Sequence, residues 1–166
     1  TMDTKTIIVT LVTDRTQADV ERVRELAAKG FAAMTAAERA EWLAGMKGAY
    51  NAADLNRVGT ALNYLAARLS SICGKSIAWT AKTDWAVTDI ITASQAEAYR
   101  KQVQSIRDAL AYPAETPDAP ELGRLTYTDA NNIERILKLC EDLIVNVAKS
   151  FRHTGAAECA AGGLLT

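Results

Sequence analysis

The chain has few of the residues that most catalytic and metal sites need. It contains a single histidine, His153, and three cysteines, Cys73, Cys140 and Cys159, none of them in a Cys-x-x-Cys pair. One histidine excludes metal sites built on several histidines and restricts the choice of a general base. The isolated cysteines favour reduced thiols over a disulfide framework. The glycine-containing signatures of phosphate-binding loops, dinucleotide-binding folds and serine hydrolases are also missing.

Long apolar runs and an excess of charge of one sign are absent as well. Although 49% of the 166 residues are hydrophobic, no run of about 18 apolar residues exists that would span a membrane. The formal net charge is −1, and no basic stripe of the kind that binds nucleic acid is seen. We therefore predict no membrane span, no nucleic-acid partner and no cofactor. The length suits a single domain with its own core.

Alanine and leucine dominate the apolar residues, while aromatic residues make up only 6% of the chain, a composition that favours helices. Five residues are predicted to cap helices, namely Thr16, Thr35, Asn51, Thr92 and Thr128. The longest stripes at helical spacing are Leu55, Val58, Leu62, Leu65 and Leu69, and Ile133, Leu137, Cys140, Ile144 and Val147. The sequence predicts a mainly α-helical, antiparallel bundle of four to five helices with one or two short, marginal β-strands.

The two strands are predicted from short β-branched or alternating segments, residues 5–12 and 76–80. Three prolines lie within residues 112–125, and this segment is predicted to be an extended linker. The predicted organisation is an N-terminal strand or arm over residues 1–12, a helical domain over 13–150 that contains the linker, and a C-terminal tail over 151–166. The tail is rich in small residues and is expected to be loosely ordered.

A short phrase recurs where helices should begin. Residues 18–23 (ADVERV) return as 53–58 (ADLNRV), more loosely as 128–133 (TDANNI), and faintly as 94–99 (SQAEAY). An aspartate in the first helical turn meets unpaired N–H groups and the positive end of the helix dipole, and the arginine three residues later is within its reach. We interpret the phrase as a helix start, and its origin by convergence or by duplication stays open.

Three functional alternatives can be drawn from the residues. The side chains of Asp54, Asn56, Asp129 and Asn131 present oxygens that suit Ca²⁺, but calcium loops collect more ligands around a glycine, so we predict no metal. Cys159 and His153 suit a nucleophile and its base, but they lie on the predicted tail, which offers no rigid support, so we predict no catalytic residues. Trp79 and Trp85 suit a stacking platform for a glycan, and core or turn anchors are the other interpretation of these tryptophans.

Several stretches resemble a known group of proteins. They are residues 14–20 (DRTQADV), 46–58 (MKGAYNAADLNRV), 61–65 (ALNYL), 82–85 (KTDW) with Asp89, and 125–137 (LTYTDANNIERIL). Together they resemble uncharacterised helical modules encoded among the tail and baseplate genes of phages that infect Gram-positive bacteria. The resemblance covers about residues 13–150, most of the chain, and its motifs carry no catalytic chemistry.

The resemblance implies a non-enzymatic structural or interaction module of a phage tail, baseplate or host-recognition protein. Its expected partners are other tail or baseplate subunits or further copies of itself. Its expected location is the virion, after synthesis in the bacterial cytoplasm. The alternatives are a module that binds a host-surface glycan through Trp79 and Trp85 and, more remotely, an enzyme that uses Cys159 and His153.

Overall fold

Six α-helices make up most of the protein. The computed structural model describes the backbone of residues 4–162 and the side chains of residues 6–151. The helices are α1 (Thr4–Val9), α2 (Gln17–Lys29), α3 (Ala36–Ala44), α4 (Ala52–Cys73), α5 (Ala93–Ala109) and α6 (Tyr127–Gly162). Two short 3-10 turns, Phe31–Ala33 and Leu122–Arg124, lie between them. The predicted mainly helical bundle is confirmed.

The ends of the helices follow the local sequence closely. The predicted caps Thr16, Thr35, Asn51 and Thr92 each form a capping box with the residue three positions later. The prediction of Thr128 as the cap of the last helix is wrong. Its place is taken by Thr126, whose hydroxyl accepts a hydrogen bond from the Asp129 backbone N–H at 3.1 Å.

Two glycines that follow α3 have different roles. The helix stops at Ala44, and Gly45 follows with φ of 87°, a conformation that glycine adopts without strain. Gly48 has a different role, which is to let two backbones touch. A Cβ added to Gly48 would lie 2.1 Å from the Asp19 carbonyl oxygen. This contact fixes the start of α2 against the segment that leads into α4.

The main core lies between α4, α5 and α6. The predicted stripe of α4 is buried from Val58 to Leu69, and Leu55 is partly buried. The stripe of α6 is buried from Ile133 to Ile144, with Cys140 packed as a small hydrophobe. Leu26, Met34 and Met46 form a second, smaller cluster between α2 and α3. None of the helices within residues 4–162 combines the length and apolar character that a membrane crossing requires.

The two strand predictions are wrong within the part of the chain that the structure describes, which contains no strand. The first segment forms α1, whose Ile7 and Ile8 pack against the main core. The β-branched residues therefore signalled burial, and packing on α4 and α6 overrides their weak preference for strands. The second segment, residues 76–80, forms neither a helix nor a strand.

The linker packs on α5, and the helical backbone of α6 runs into the segment predicted as the tail. In the linker, Thr116 and Ala119 are buried, and the Ala119 N–H donates to the Gln104 side chain of α5 at 2.8 Å. The backbone of α6 is helical across residue 151, where the tail was predicted to begin, and continues to Gly162. Alanines at four of the positions between residues 156 and 161 favour this continuation. Residues 163–166 of the predicted tail lie outside the described residues.

Gly59 in α4 allows the backbone of the loop at Lys82 to lie directly on the helix. A Cβ at this position would lie 2.3 Å from the Lys82 carbonyl oxygen, a backbone atom. We expect Gly59→Ala to lower the free energy of unfolding by about 1–3 kcal/mol through overpacking, despite the better helix propensity of alanine. Urea denaturation measures the change. Gly123→Ala, where no atom lies within 4 Å of the added Cβ, is the control. A Gly59→Ala variant as stable as the unmodified chain would contradict this packing.

Candidate functional site

The aspartates of the recurring phrase begin helices, as predicted. In three copies a carboxylate oxygen accepts a hydrogen bond from the backbone N–H of the capping residue, between Asp19 and Thr16 at 2.7 Å, Asp54 and Asn51 at 2.9 Å, and Asp129 and Thr126 at 3.0 Å. The predicted aspartate–arginine contact is present in only one copy. Arg57 pairs with Asp54, whereas Arg22 pairs with Glu25 and Glu41. The copies are therefore alike at the helix start and differ beyond it.

The asparagine two residues after the aspartate holds a distant segment of backbone. The Asn131 side chain accepts from the Arg15 N–H and donates to the Arg15 carbonyl, both at 2.9 Å. Asn56 holds the Trp85 peptide groups in the same way, at 2.7 and 2.9 Å. A side-chain amide satisfies the same donor and acceptor as a neighbouring β-strand would. These asparagines fasten extended segments to α6 and α4.

Four charged side chains meet where residues 11–15, α4 and α6 come together. Arg15 Nη2 lies 2.8 Å from Asp54 Oδ1 and 2.6 Å from Glu134 Oε1. Arg57 donates to Glu134 at 2.8 and 3.0 Å and also contacts Asp54. The Val12 N–H donates to Glu134 at 2.6 Å. We call Arg15, Asp54, Arg57 and Glu134 the charge cluster.

The charge cluster is almost completely removed from solvent. The side chains of Arg15, Asp54 and Glu134 are 2%, 10% and 0% exposed, and that of Arg57 is 20% exposed. Two guanidinium groups and two carboxylates balance in charge, which is the condition under which buried ions are tolerated. Burial alone would lower the pKa of Arg57, but its contacts with Glu134 and Asp54 outweigh that effect and raise the pKa. Arg57 therefore stays charged.

Two tyrosines close one side of the charge cluster. The hydroxyls of Tyr50 and Tyr99 are 2.6 Å apart, and the Arg15 guanidinium lies 5.5 Å from the centre of the Tyr50 ring. Burial raises the pKa of both phenols well above their usual range, so both remain protonated at any physiological pH. The charge cluster joins residues 11–15, α4 and α6, with the neutral phenols at its side. Both of its carboxylates are bound by arginines.

Arg15 and Glu134 are central to this site, yet sequence reasoning assigned them no role. One signal was available, because Glu134 lies one turn after Ala130 and three residues before Leu137, on the face that carries the α6 stripe. A charge on an apolar face indicates a buried partner. The partner, Arg15, is 119 residues away in sequence, and no local pattern identifies it.

The residues of the predicted alternatives, a calcium site, a tryptophan platform and a Cys/His pair, do not belong to one common site. The asparagines of the Asp-x-Asn pairs bind peptide groups, and Asp54 binds arginines, so these oxygens are already used by the chain itself. Within residues 6–151, no group of three or more histidine, cysteine or acidic residues could hold a metal ion. Trp85 is only 8% exposed, and Trp79 is partly buried and donates to Ser105 at 2.9 Å, so neither tryptophan is fully exposed. The side chains of His153 and Cys159 lie outside the described residues.

The cysteine in the core is not activated as a nucleophile. Burial raises the pKa of the Cys140 thiol to about 11, although a hydrogen bond with Tyr112 opposes the shift. A thiol with so high a pKa is almost fully protonated near neutral pH, and the thiolate is the reactive form. Cys140 therefore contributes packing.

An apolar groove of about 410 Å³ lies between α2, α3 and the start of α4. Its wall includes Trp42, Leu43, Met46 and Val87. Leu43 is 73% exposed and Val87 is 95% exposed, although both are large apolar side chains. This part of α3 is therefore an apolar surface that the chain leaves uncovered. We call this feature the apolar groove.

Comparisons of the chain with protein-family models, with curated proteins and with solved structures find no match.

Proposed function

We propose that this chain is a non-enzymatic interaction module of a phage tail or baseplate, and that it binds a neighbouring tail subunit through the apolar groove. The resemblance of residues 13–150 to helical modules from tail and baseplate genes supports the setting. The observation that carries the binding role is the groove itself, with Leu43 and Val87 exposed at its wall. Large apolar side chains grouped at one concave surface indicate a site of protein contact.

The chemistry of the groove defines the partner. Among its wall residues that the structure describes, Asn51 is the only polar side chain, and none is charged. A matching surface therefore presents one or two apolar side chains on an uncharged segment, such as the apolar face of a helix. Burying Leu43 and Val87 stabilises a complex by about 1.5–3 kcal/mol for each side chain.

Contacts on two sides of the apolar groove hold it in a fixed shape. On one side, Val87 lies two residues after Trp85, whose peptide groups are bound by Asn56. The ammonium group of Lys82 also lies 5.0 Å from the centre of the Trp85 ring. On the other side, Met46 is buried in the cluster formed with Leu26 and Met34. A surface that is ordered before binding loses less conformational entropy when the partner arrives.

The test measures binding between this chain and the tail subunits encoded by the neighbouring genes. We expect one of them to bind, and the double variant Leu43→Asp, Val87→Asp to weaken binding at least about a hundredfold, because two charges would enter an apolar contact. Biolayer interferometry measures the dissociation constants. Val9→Asp is the matched control, since Val9 is 73% exposed and lies on α1, away from the groove.

Two results would contradict the proposal. One is equal binding of the double variant and the unmodified chain, which would place the contact elsewhere. The other is a dimer of this chain that the double variant abolishes, measured by light scattering after size-exclusion chromatography. That result would assign the groove to a second copy instead of a different subunit.

A further inference from the structure

Residues 16–46, which include α2 and α3, form a helical hairpin with a small core of its own. Leu26, Met34 and Met46 pack together in a cluster that is separate from the main core of α4, α5 and α6. Leu26 is the only buried residue of α2, and α3 has no buried residue. The apolar contacts of this segment are therefore made mostly within it. We call residues 16–46 the α2–α3 hairpin.

The polar contacts of the α2–α3 hairpin are internal as well. The Arg22 guanidinium pairs with Glu41 at 2.8 Å, and the Lys29 ammonium group pairs with Glu38 at 2.7 Å, so both pairs join α2 to α3. In the part of the chain whose side chains are described, every side-chain hydrogen bond and ion pair of the hairpin joins two of its own residues. None of these bonds is broken when the hairpin moves away from α4 and α6.

Three cavities follow the boundary between the α2–α3 hairpin and the rest of the chain. One of about 290 Å³ has Val20 of α2 on one side and Ala130 of α6 on the other. One of about 220 Å³ lies between Gly45, which follows α3, and Asp54 at the start of α4. The third is the apolar groove, of about 410 Å³. A close-packed interior leaves few voids of this size, so the hairpin and the main core interlock little.

The α2–α3 hairpin is attached to the main core at its base. Arg15, which precedes it, is bound by the charge cluster and by Asn131. Gly48, which follows it, touches the backbone of Asp19. These contacts hold the two ends of the hairpin. Segments that pack mainly on themselves open at a lower free energy than the core to which they are attached.

We propose that the α2–α3 hairpin opens as one unit while α4, α5 and α6 stay folded, and that the apolar groove is formed and lost with this movement. The hairpin supplies one wall of the groove through Val23, Trp42 and Leu43. The other wall contains Ala53 of α4 and Val87. A partner in the groove binds only the closed state, so opening competes with binding. This control of binding rests on the proposed function, whereas the opening itself does not.

Hydrogen exchange of the full chain without a partner, followed at backbone amides in ¹H–¹⁵N spectra, tests the proposal. The matched variants are Leu26→Ala in the hairpin and Leu65→Ala in the main core, since both leucines are fully buried. Leu26→Ala should speed exchange in α2 and α3 at least about tenfold, because it leaves a cavity in the unit that opens. Leu65→Ala should speed exchange in α4 and α6 at least about tenfold and leave α2 and α3 unchanged, because Leu65 stays buried when only the hairpin opens.

The same measurement gives the results that would overturn the proposal. If the chain were one cooperative unit, Leu65→Ala would speed exchange in α2 and α3 as much as in α4. If the hairpin did not open as a unit, Leu26→Ala would affect α2 without α3. Should Leu26→Ala unfold the hairpin, native signals from α4, α5 and α6 would support the proposal, and loss of the whole fold would overturn it.

Ile136→Val is the milder replacement if Leu65→Ala does not fold, because Ile136 is fully buried in the same core. It should speed exchange in α4 and α6 about threefold and leave α2 and α3 unchanged. No tail subunit takes part in these measurements. A failure to find a partner for the apolar groove would therefore leave their outcome as it is.

Discussion

Replacing Glu134 with alanine is expected to lower the free energy of unfolding by about 3–5 kcal/mol, since removal of one member of a buried ion cluster leaves the other charges without compensation. Glu134 is fully buried and accepts hydrogen bonds from Arg15, from Arg57 and from the Val12 backbone. Without it, two arginines would share Asp54 alone. The Val12 N–H would also lose its partner, and the segment before α2 would be held to α6 mainly by the Asn131 hydrogen bonds to Arg15.

Chemical denaturation followed by circular dichroism measures this effect. Glu97→Ala is the control, because Glu97 pairs with Arg100 at 2.8 Å on the surface of α5 and is 43% exposed. Exposed pairs of this kind contribute at most about 1 kcal/mol. If Glu134→Ala does not fold, Glu134→Gln keeps the shape of the side chain and provides a measurable intermediate. Losses of equal size for the Glu134 variants and Glu97→Ala would contradict the importance of the charge cluster.

Leu65→Ala is the second substitution with a large expected effect. Leu65 is fully buried at the middle of α4, within the core shared with α5 and α6. Truncation removes buried apolar surface and leaves a cavity between the helices, which together cost about 2–5 kcal/mol. The midpoint of urea denaturation should fall while the slope of the transition stays unchanged.

The same substitution at Leu43 serves as the matched control. Leu43 is 73% exposed on α3, and we expect Leu43→Ala to change stability by less than about 0.5 kcal/mol. If both substitutions destabilised the chain equally, the apolar groove would be part of the folded core and could not serve as a surface for a partner. The comparison therefore tests the fold and one premise of the proposed function together.

The helices could be predicted from sequence because their signals are local. A capping residue and its partner lie three positions apart, as at Asn51 and Asp54, and an apolar stripe repeats every three or four residues. The same signals predicted the start of α6 two residues too late. Both Thr126 and Thr128 are followed, three residues later, by a side chain that can complete a cap, Asp129 or Asn131. The reciprocal hydrogen bonds of Thr126 and Asp129 make Thr126 the cap.

The charge cluster and the asparagine contacts could not be predicted, because their partners are far apart in the sequence. Asn131 binds the backbone of Arg15 across 116 residues, and Asn56 binds that of Trp85 across 29 residues. Sequence reasoning recognised the Asp-x-Asn pattern and tested it against a metal loop. The side-chain amides instead form hydrogen bonds with distant backbone of the same chain. The number of residues between the asparagine and that backbone differs from one case to the other.

The attachment of residues 11–15 to α6 also sets an order of events during synthesis on the ribosome. Leu11 and Arg15 are buried in the finished protein, but the groups that bind this segment, Asn131 and Glu134, are translated much later. Until Asn131 and Glu134 emerge, residues 11–15 lack these contacts with α6. Closing so long a loop is slow compared with forming a helix. Residues 11–15 are made before the groups that bind them and are therefore among the last to reach their native place.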